Sequence, residues 1–230
     1  MRLHRFVEKF NNVGIYEITN PERVRQITKV LRLQVGDQII LSDGAGHHSN
    51  ALIQEINKKS VVVLISKIEN TDEKWNKVKL YCNILKRENF EFVTQKATEL
   101  GVSEIIPLLS ARTVKQNINH MRLEKIIEEA TEQCERDLIP NLAPETNLEN
   151  ALVKAKEEGI VIFFEKFGTT LNNIKVGKII SIFIGPEGGF SEKEISEARS
   201  AGYNVSSLGP LVLRGETAAM IATYRAVEGI

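Results

Sequence analysis

Residues 185–189 read Gly-Pro-Glu-Gly-Gly and follow directly on the apolar run Ile179-Ile-Ser-Ile-Phe-Ile184. The length and β-branching of that run predict a strand buried on both faces of a parallel sheet. A helix is expected at once after the loop. Ser191 stands at its N-cap with Glu194 three residues on, which is a capping box, and Gly202 stands where a left-handed residue closes a helix. Strand, glycine loop and helix in that order occur at the carboxyl edge of α/β sheets, where ligands bind. The three glycines let backbone approach a ligand, and Pro186 removes one donor and stiffens the turn. Taken alone, an ordinary tight turn between strand and helix would read the same way.

A second loop follows about twenty residues later. Val205–Leu208 reads as a short strand, Gly209–Ala218 as a loop, and the apolar stretch to about Val227 as a helix. A solvent loop would not normally carry three bulky apolar residues in a row. Leu211, Val212 and Leu213 therefore read as the wall of a pocket, ending in Arg214 and Glu216 at the helix start.

The chain of 230 residues has the 42% hydrophobic and 26% charged content of an ordinary globular protein, long enough for one large or two small domains. Net charge is zero. A polyanionic partner would thus be met by a local basic surface and not by the whole molecule. No apolar run approaches membrane-spanning length, and the amino terminus lacks the apolar core of a signal peptide, so the expected location is the cytoplasm with no membrane contact. Cys82 and Cys134 lie far apart without CxxC spacing, which gives neither a metal site nor a disulfide framework. The four histidines are expected to be structural. The glycine fingerprints of dinucleotide and phosphate loops are absent.

The first seventy residues predict mostly β structure: runs at Leu3–Val7, Gly14–Ile18, Gln38–Leu41, His48–Ile56 and Val61–Ile68, consistent with a small barrel. One helix interrupts them, capped by Asn20, begun by Pro21, with Val24, Ile27, Val30 and Leu31 as its buried stripe. Arg23, Arg25 and Lys29 on that helix, Arg32 just past it, and Arg2 and Arg5 nearby could bind phosphate or simply form a solvated surface. Residues 69–77 are polar and read as a linker. Strands and helices then alternate through Val78–Leu85, Asn89–Leu100, Glu104–Leu109, Met121–Cys134, a helix capped by Asn147, and Ile160–Phe164. This predicts an α/β domain with a parallel sheet over 71–230, preceded by the β domain of 1–70.

The segments GPEGGFSEKEI (185–195), SLGPLVLRGETAA (207–219), QKATELGV (95–102), EATEQCER (129–136) and VLRLQVGD (30–37), with Asp43-Gly44, together resemble the RsmE family. These are bacterial methyltransferases of the SPOUT superfamily that place a methyl group on N3 of a uridine in 16S ribosomal RNA. The resemblance spans nearly the whole chain. It implies a PUA-like RNA-binding barrel, a SPOUT α/β domain whose carboxyl-terminal chain forms a trefoil knot, S-adenosylmethionine as cofactor without a metal, and a homodimer acting on RNA of the small subunit. By motif match the cofactor site is expected at Phe164 and Glu165, at Gly185, Pro186, Glu187, Gly188 and Gly189, at Leu208 and Gly209, and at Leu213, Thr217 and Ala218. Arg214 is the expected stabiliser of charge on the uridine. Glu216 orients Arg214, accepts the proton, or merely caps the helix. Arg2, Arg5, Arg23, Arg25, Lys29, Arg32, Arg112 and Arg136 are the expected RNA contacts. Two positions depart from the family pattern: Leu211, usually basic or aromatic, and Gly215, usually larger, which leaves the Arg214 loop freer. They keep open a non-catalytic RNA-binding protein with a degenerate knot, or a SPOUT enzyme acting on another RNA position.

Overall fold

The structure is a computed structural model that describes residues 3–114, 117–170 and 179–229. Its contacts divide the chain into two compact units, Met1–Glu73 with Thr131–Ile139, and Lys74–Ala130 with Pro140–Ile230.

The first unit holds strands β1 (His4–Val7), β2 (Gly14–Ile18), β3 (Gln38–Ser42), β4 (His47–Ile56), β5 (Val61–Ile65) and the short β6 (Glu69–Asn70). They pair in the order β1-β3-β4-β5-β2, with β6 against β4; only β1 with β3 is parallel. Alternate residues point to one face, where Phe6, Ile18, Ile39, Leu41, Ile53, Val63 and Ile65 form the core. Helix α1 (Pro21–Arg25) adds Val24, and the π-helical turn Gln26–Val30 that continues it adds Ile27. Asn20 caps α1 as the sequence predicts, accepting from Glu22 N and Arg23 N. Val30 departs from the predicted stripe: it is 65% exposed. The cause is the wider turn, closed by Leu31 N on Gln26 O, which carries Val30 off the face that an α-helical spacing would give it.

Segment 131–139 brings buried charge into this unit. Arg23 Nη1 donates to Glu132 Oε2 at 2.8 Å, and Glu132 Oε1 accepts from Val7 N at 2.7 Å. Arg5 donates to Asp137 Oδ1, and His48 Nδ1 lies 3.0 Å from Asp137 Oδ2. Arg136 forms a two-pronged pair with Glu73, Nε to Oε1 and Nη2 to Oε2, both at 3.0 Å. Arg5, Arg23 and Arg136 are therefore not the RNA contacts the sequence suggests. Their guanidiniums are buried, and a buried charge must be paired.

The second unit is built on seven strands, all parallel: β7 (Lys77–Asn83), β8 (Glu104–Leu109), β9 (Asn141–Leu142), β10 (Thr146–Asn147), β11 (Gly159–Thr170), β12 (Ile179–Ile184) and β13 (Asn204–Ser207). Their order is β10-β8-β7-β12-β11-β13, with β9 against β8. The helices among its described residues are α2 (Arg87–Glu99), α3 (His120–Gln133, whose residues 131–133 count with the first unit), α4 (Leu148–Glu158), α5 (Glu192–Ser200) and α6 (Gly215–Glu228). Tyr81, Phe183 and Phe163 stand side by side in register on β7, β12 and β11, with stacked rings 4.4 and 4.8 Å apart. Small and apolar residues of α4 and α5 cover this face. Helix α6 packs on β7, β12 and α2.

Two glycines allow close approaches that a side chain would forbid. A Cβ on Gly159 would fall 2.2 Å from Ile179 O, where β11 starts beside β12. A Cβ on Gly168 would fall 2.4 Å from the Ser206 carbonyl carbon. Gly168 lies in a bulge: Ser206 aligns with both Phe164 and Thr169, so residues 165–168 loop out of the sheet.

Candidate functional site

Strand order reverses direction between β7 and β12: the chain leaves β7 for β8 on one side and leaves β12 for β13 on the other. Such a switch point opens a crevice at the carboxyl ends of the strands. A cavity of about 630 Å³ lies there. Its lining comes from four places: Lys86 and Asn89 after β7; Phe164–Phe167 from the bulge in β11; Ile184–Gly189 after β12; and Ser207–Gly209 with Leu211–Glu216 and Ala218 after β13.

The loop after β12 is shaped as its sequence suggests. Gly189 N donates to Pro186 O at 2.8 Å, closing a turn, and Gly189 takes φ +67°. A Cβ on Gly185 would lie 3.0 Å from Phe190 N. Ser191 and Glu194 make the predicted capping box, and Gly202 takes φ +79° past the end of α5.

Of the residues expected around a cofactor, Phe164, Glu165, Gly185, Pro186, Glu187, Gly188, Gly189, Leu208, Gly209, Leu213 and Ala218 all line the cavity, while Thr217 is not among its lining residues. Arg214 and Glu216 line it too. Arg214 is the N-cap residue of α6 and gives no side-chain cap. Its guanidinium is exposed and has no side-chain partner among the described residues. Gly215 opens α6 without a left-handed φ; a Cβ there would meet Leu85 Cδ2 at 3.0 Å. Its role is thus close approach of the helix start to Leu85.

Lys86, Asn89, Lys166 and Phe167 also line the cavity and lie outside every family-like segment of the sequence, whereas Ile184 ends the apolar run and Ser207 opens the 207–219 segment. Phe167 is 78% exposed, with Lys166 Nζ 5.0 Å from its ring centre. Three cations (Lys86, Lys166, Arg214) and three carboxylates (Glu165, Glu187, Glu216) are among the lining residues. Burial pushes the Cys82 thiol on β7 up to about 12, and the charges of Glu187 and Glu216 push the same way. Both carboxylates therefore act on one point at the end of β7.

Arg25, Lys29 and Arg32 are exposed on the first unit. Arg112 is exposed too, but its Nη1 donates to Gly188 O at 2.7 Å. Arg2 lies outside the described residues.

A family model for the RNA methyltransferase domain matches residues 72–226, and one for the RNA methyltransferase PUA domain matches residues 18–66. Ribosomal RNA small subunit methyltransferase E of Mesomycoplasma hyopneumoniae is 34% identical over 184 residues, covering 77% of this chain and 81% of its own. The chain belongs to the RsmE family. Two solved structures extend the likeness from this RsmE chain's sequence to its fold. RsmE of Neisseria gonorrhoeae, bound to S-adenosylmethionine, superposes with a TM-score of 0.89 at 29% identity over 99% of each chain. A Legionella pneumophila methyltransferase, also in complex with this cofactor, gives 0.86 at 31% identity over 100% of each. The RsmE assignment accounts for both the PUA-like amino-terminal unit and the parallel α/β unit.

Proposed function

We propose that this chain transfers a methyl group from S-adenosylmethionine to N3 of a uridine in 16S ribosomal RNA of the small subunit. The observation that carries the reading is the convergence of the glycine loop 185–189 and the Leu211–Glu216 loop on one cavity that Arg214 also lines.

The cavity fits the cofactor in size and in kind. About 630 Å³ falls in the range of small-molecule sites. Phe164, Ile184, Leu211, Val212 and Leu213 offer apolar surface to an adenine ring, backbone without side chains is presented at Gly185, Gly188 and Gly189, and carboxylates stand near for a sulfonium and an ammonium. When bound, the cofactor supplies an electrophilic methyl group.

The chain's own part is orientation, charge and exclusion of water. Uridine N3 becomes a nucleophile on losing its proton, and the resulting anion spreads over O2 and O4. Arg214 stabilises that charge. Its guanidinium is always protonated and offers five donors. Glu216 accepts the proton or orients Arg214. Arg25, Lys29 and Arg32 hold RNA phosphates on the first unit.

A homodimer and a trefoil knot complete the reading. Phe92, Ile221 and Tyr224 are left exposed on α2 and α6, apolar surface that a second copy would cover. The knot draws support from topology: the chain leaves edge strand β13, yet α6 returns to pack on β7 and β12. No helix among the described residues is long and apolar enough to cross a membrane, and the proposed substrate places the protein in the cytoplasm.

Calorimetric titration of the purified protein with S-adenosylmethionine tests the cofactor assignment. One site per chain is expected; no measurable binding contradicts it.

A further inference from the structure

We infer that residues 110–113, just after β8, are a clamp on the cofactor loop, and that Arg112 is a positioning residue for S-adenosylmethionine and not a contact for RNA. The inference rests on reading the cavity as the cofactor site.

The clamp bears on the Gly185–Phe190 loop and on both of its flanks. At its entry, Asn83 Nδ2 donates to Ile184 O at 3.1 Å, while Asn83 Oδ1 accepts from Ser110 Oγ at 2.8 Å and from Thr113 Oγ1. At its exit, Arg112 Nη1 donates to Gly188 O at 2.7 Å and reaches Phe190 O at 3.4 Å. Beyond it, Ala111 N donates to Glu194 Oε1 at 2.9 Å, and Glu194 Oε2 accepts from Ser191 N at 2.7 Å. The same carboxylate thus closes the capping box of α5 and ties it to the clamp.

The chemistry suits holding more than recognition. Glycine at 188 and 189 leaves the loop conformationally free, with Gly189 at φ +67°. A charge-assisted hydrogen bond to the Gly188 carbonyl restricts that freedom from outside, because hydrogen bonds to charged groups are the strong ones. Arg112 Cδ lies 3.6 Å from where a Gly188 Cβ would stand, so the side chain lies along the loop itself. A guanidinium occupied by two carbonyls has fewer donors left for phosphate.

The test uses the full chain and two variants, Arg112→Ala and Arg112→Lys. In Arg112→Ala the dissociation constant for S-adenosylmethionine rises at least tenfold, ~1.4 kcal/mol. Hydrogen exchange in the cofactor-free protein quickens at residues 185–190 and stays unchanged in the sheet. Arg112→Lys keeps a cation with three donors and recovers part of the lost affinity. Affinity for in-vitro transcribed 16S ribosomal RNA keeps its salt dependence, since no phosphate contact is lost. Unchanged cofactor affinity in Arg112→Ala, or a shallower log–log salt slope of RNA binding, overturns the inference. A wild-type chain that binds no cofactor overturns the proposed function and this inference with it; wild-type affinity retained by Arg112→Ala overturns this inference alone.

Discussion

Asn83 Nδ2 donates to the carbonyl of Ile184 at 3.1 Å, joining the carboxyl ends of two neighbouring parallel strands at the residue before Gly185. Asn83 is fully buried, and its amide oxygen is satisfied by Ser110 and Thr113. One side chain thereby fixes the spacing of the switch-point crevice. Asn83→Leu strands the buried Ile184 carbonyl, at about 1–3 kcal/mol where no water replaces the bond, and removes the acceptor of the part-buried Ser110 and Thr113 hydroxyls, which keep a contact with each other. The expected result is a loss of about 1–3 kcal/mol in urea unfolding. A loss under about 1 kcal/mol would show that the strand ends hold their spacing without it.

Arg136 and Arg25 should separate cleanly. Removing one partner of a buried pair costs about 3–5 kcal/mol, so Arg136→Ala should unfold at markedly lower urea. Arg25→Ala should leave stability within about 0.5 kcal/mol and make the salt slope of RNA binding shallower. The reverse pattern would return Arg136 to the RNA surface.

Sequence and structure part company where contacts join distant segments. The capping box, Asn20 and Asn147 caps and Gly202 are local devices, readable from spacing, and all are present. The glycine loop and the apolar Leu211–Leu213 wall are also legible, because unusual composition marks them. That Arg5, Arg23 and Arg136 are buried is not legible, since Asp137, Glu132 and Glu73 reach them only after residues 131–139 fold back onto the first unit. Lys86 and Asn89 join the site because β7 neighbours β12, a pairing no local pattern encodes. Val30 departs because one π turn changes the helical period.

The alkaline limb of stability carries a signature of the buried face. Burial, aided by Glu187 and Glu216, raises Cys82 to about 12, and burial with the Glu158 charge raises Tyr81 to about 12. Their unfolded values are about 8.5 and about 10. A folded pKa above the unfolded one means stability that is complete below the unfolded value and lost as pH rises toward the folded one. The urea midpoint should therefore fall from about pH 8.5 upward and more steeply above about pH 10. Cys82→Ala should flatten the first part of that decline; an unchanged slope would contradict the assignment.

Arg214 tests the chemistry. Its guanidinium stands at the cavity without a side-chain partner, so Arg214→Ala should leave stability near wild type. Single-turnover methylation should fall more than tenfold, ~1.4 kcal/mol of transition-state stabilisation. A rate within tenfold of wild type removes Arg214 from the catalytic step.

The most direct measurement is incubation of the purified protein and methyl-labelled S-adenosylmethionine with small ribosomal subunits lacking the modification, followed by nucleoside digestion and mass spectrometry. Label is expected in 3-methyluridine from 16S ribosomal RNA. Label in any other nucleoside, or none despite measured cofactor binding, would contradict it.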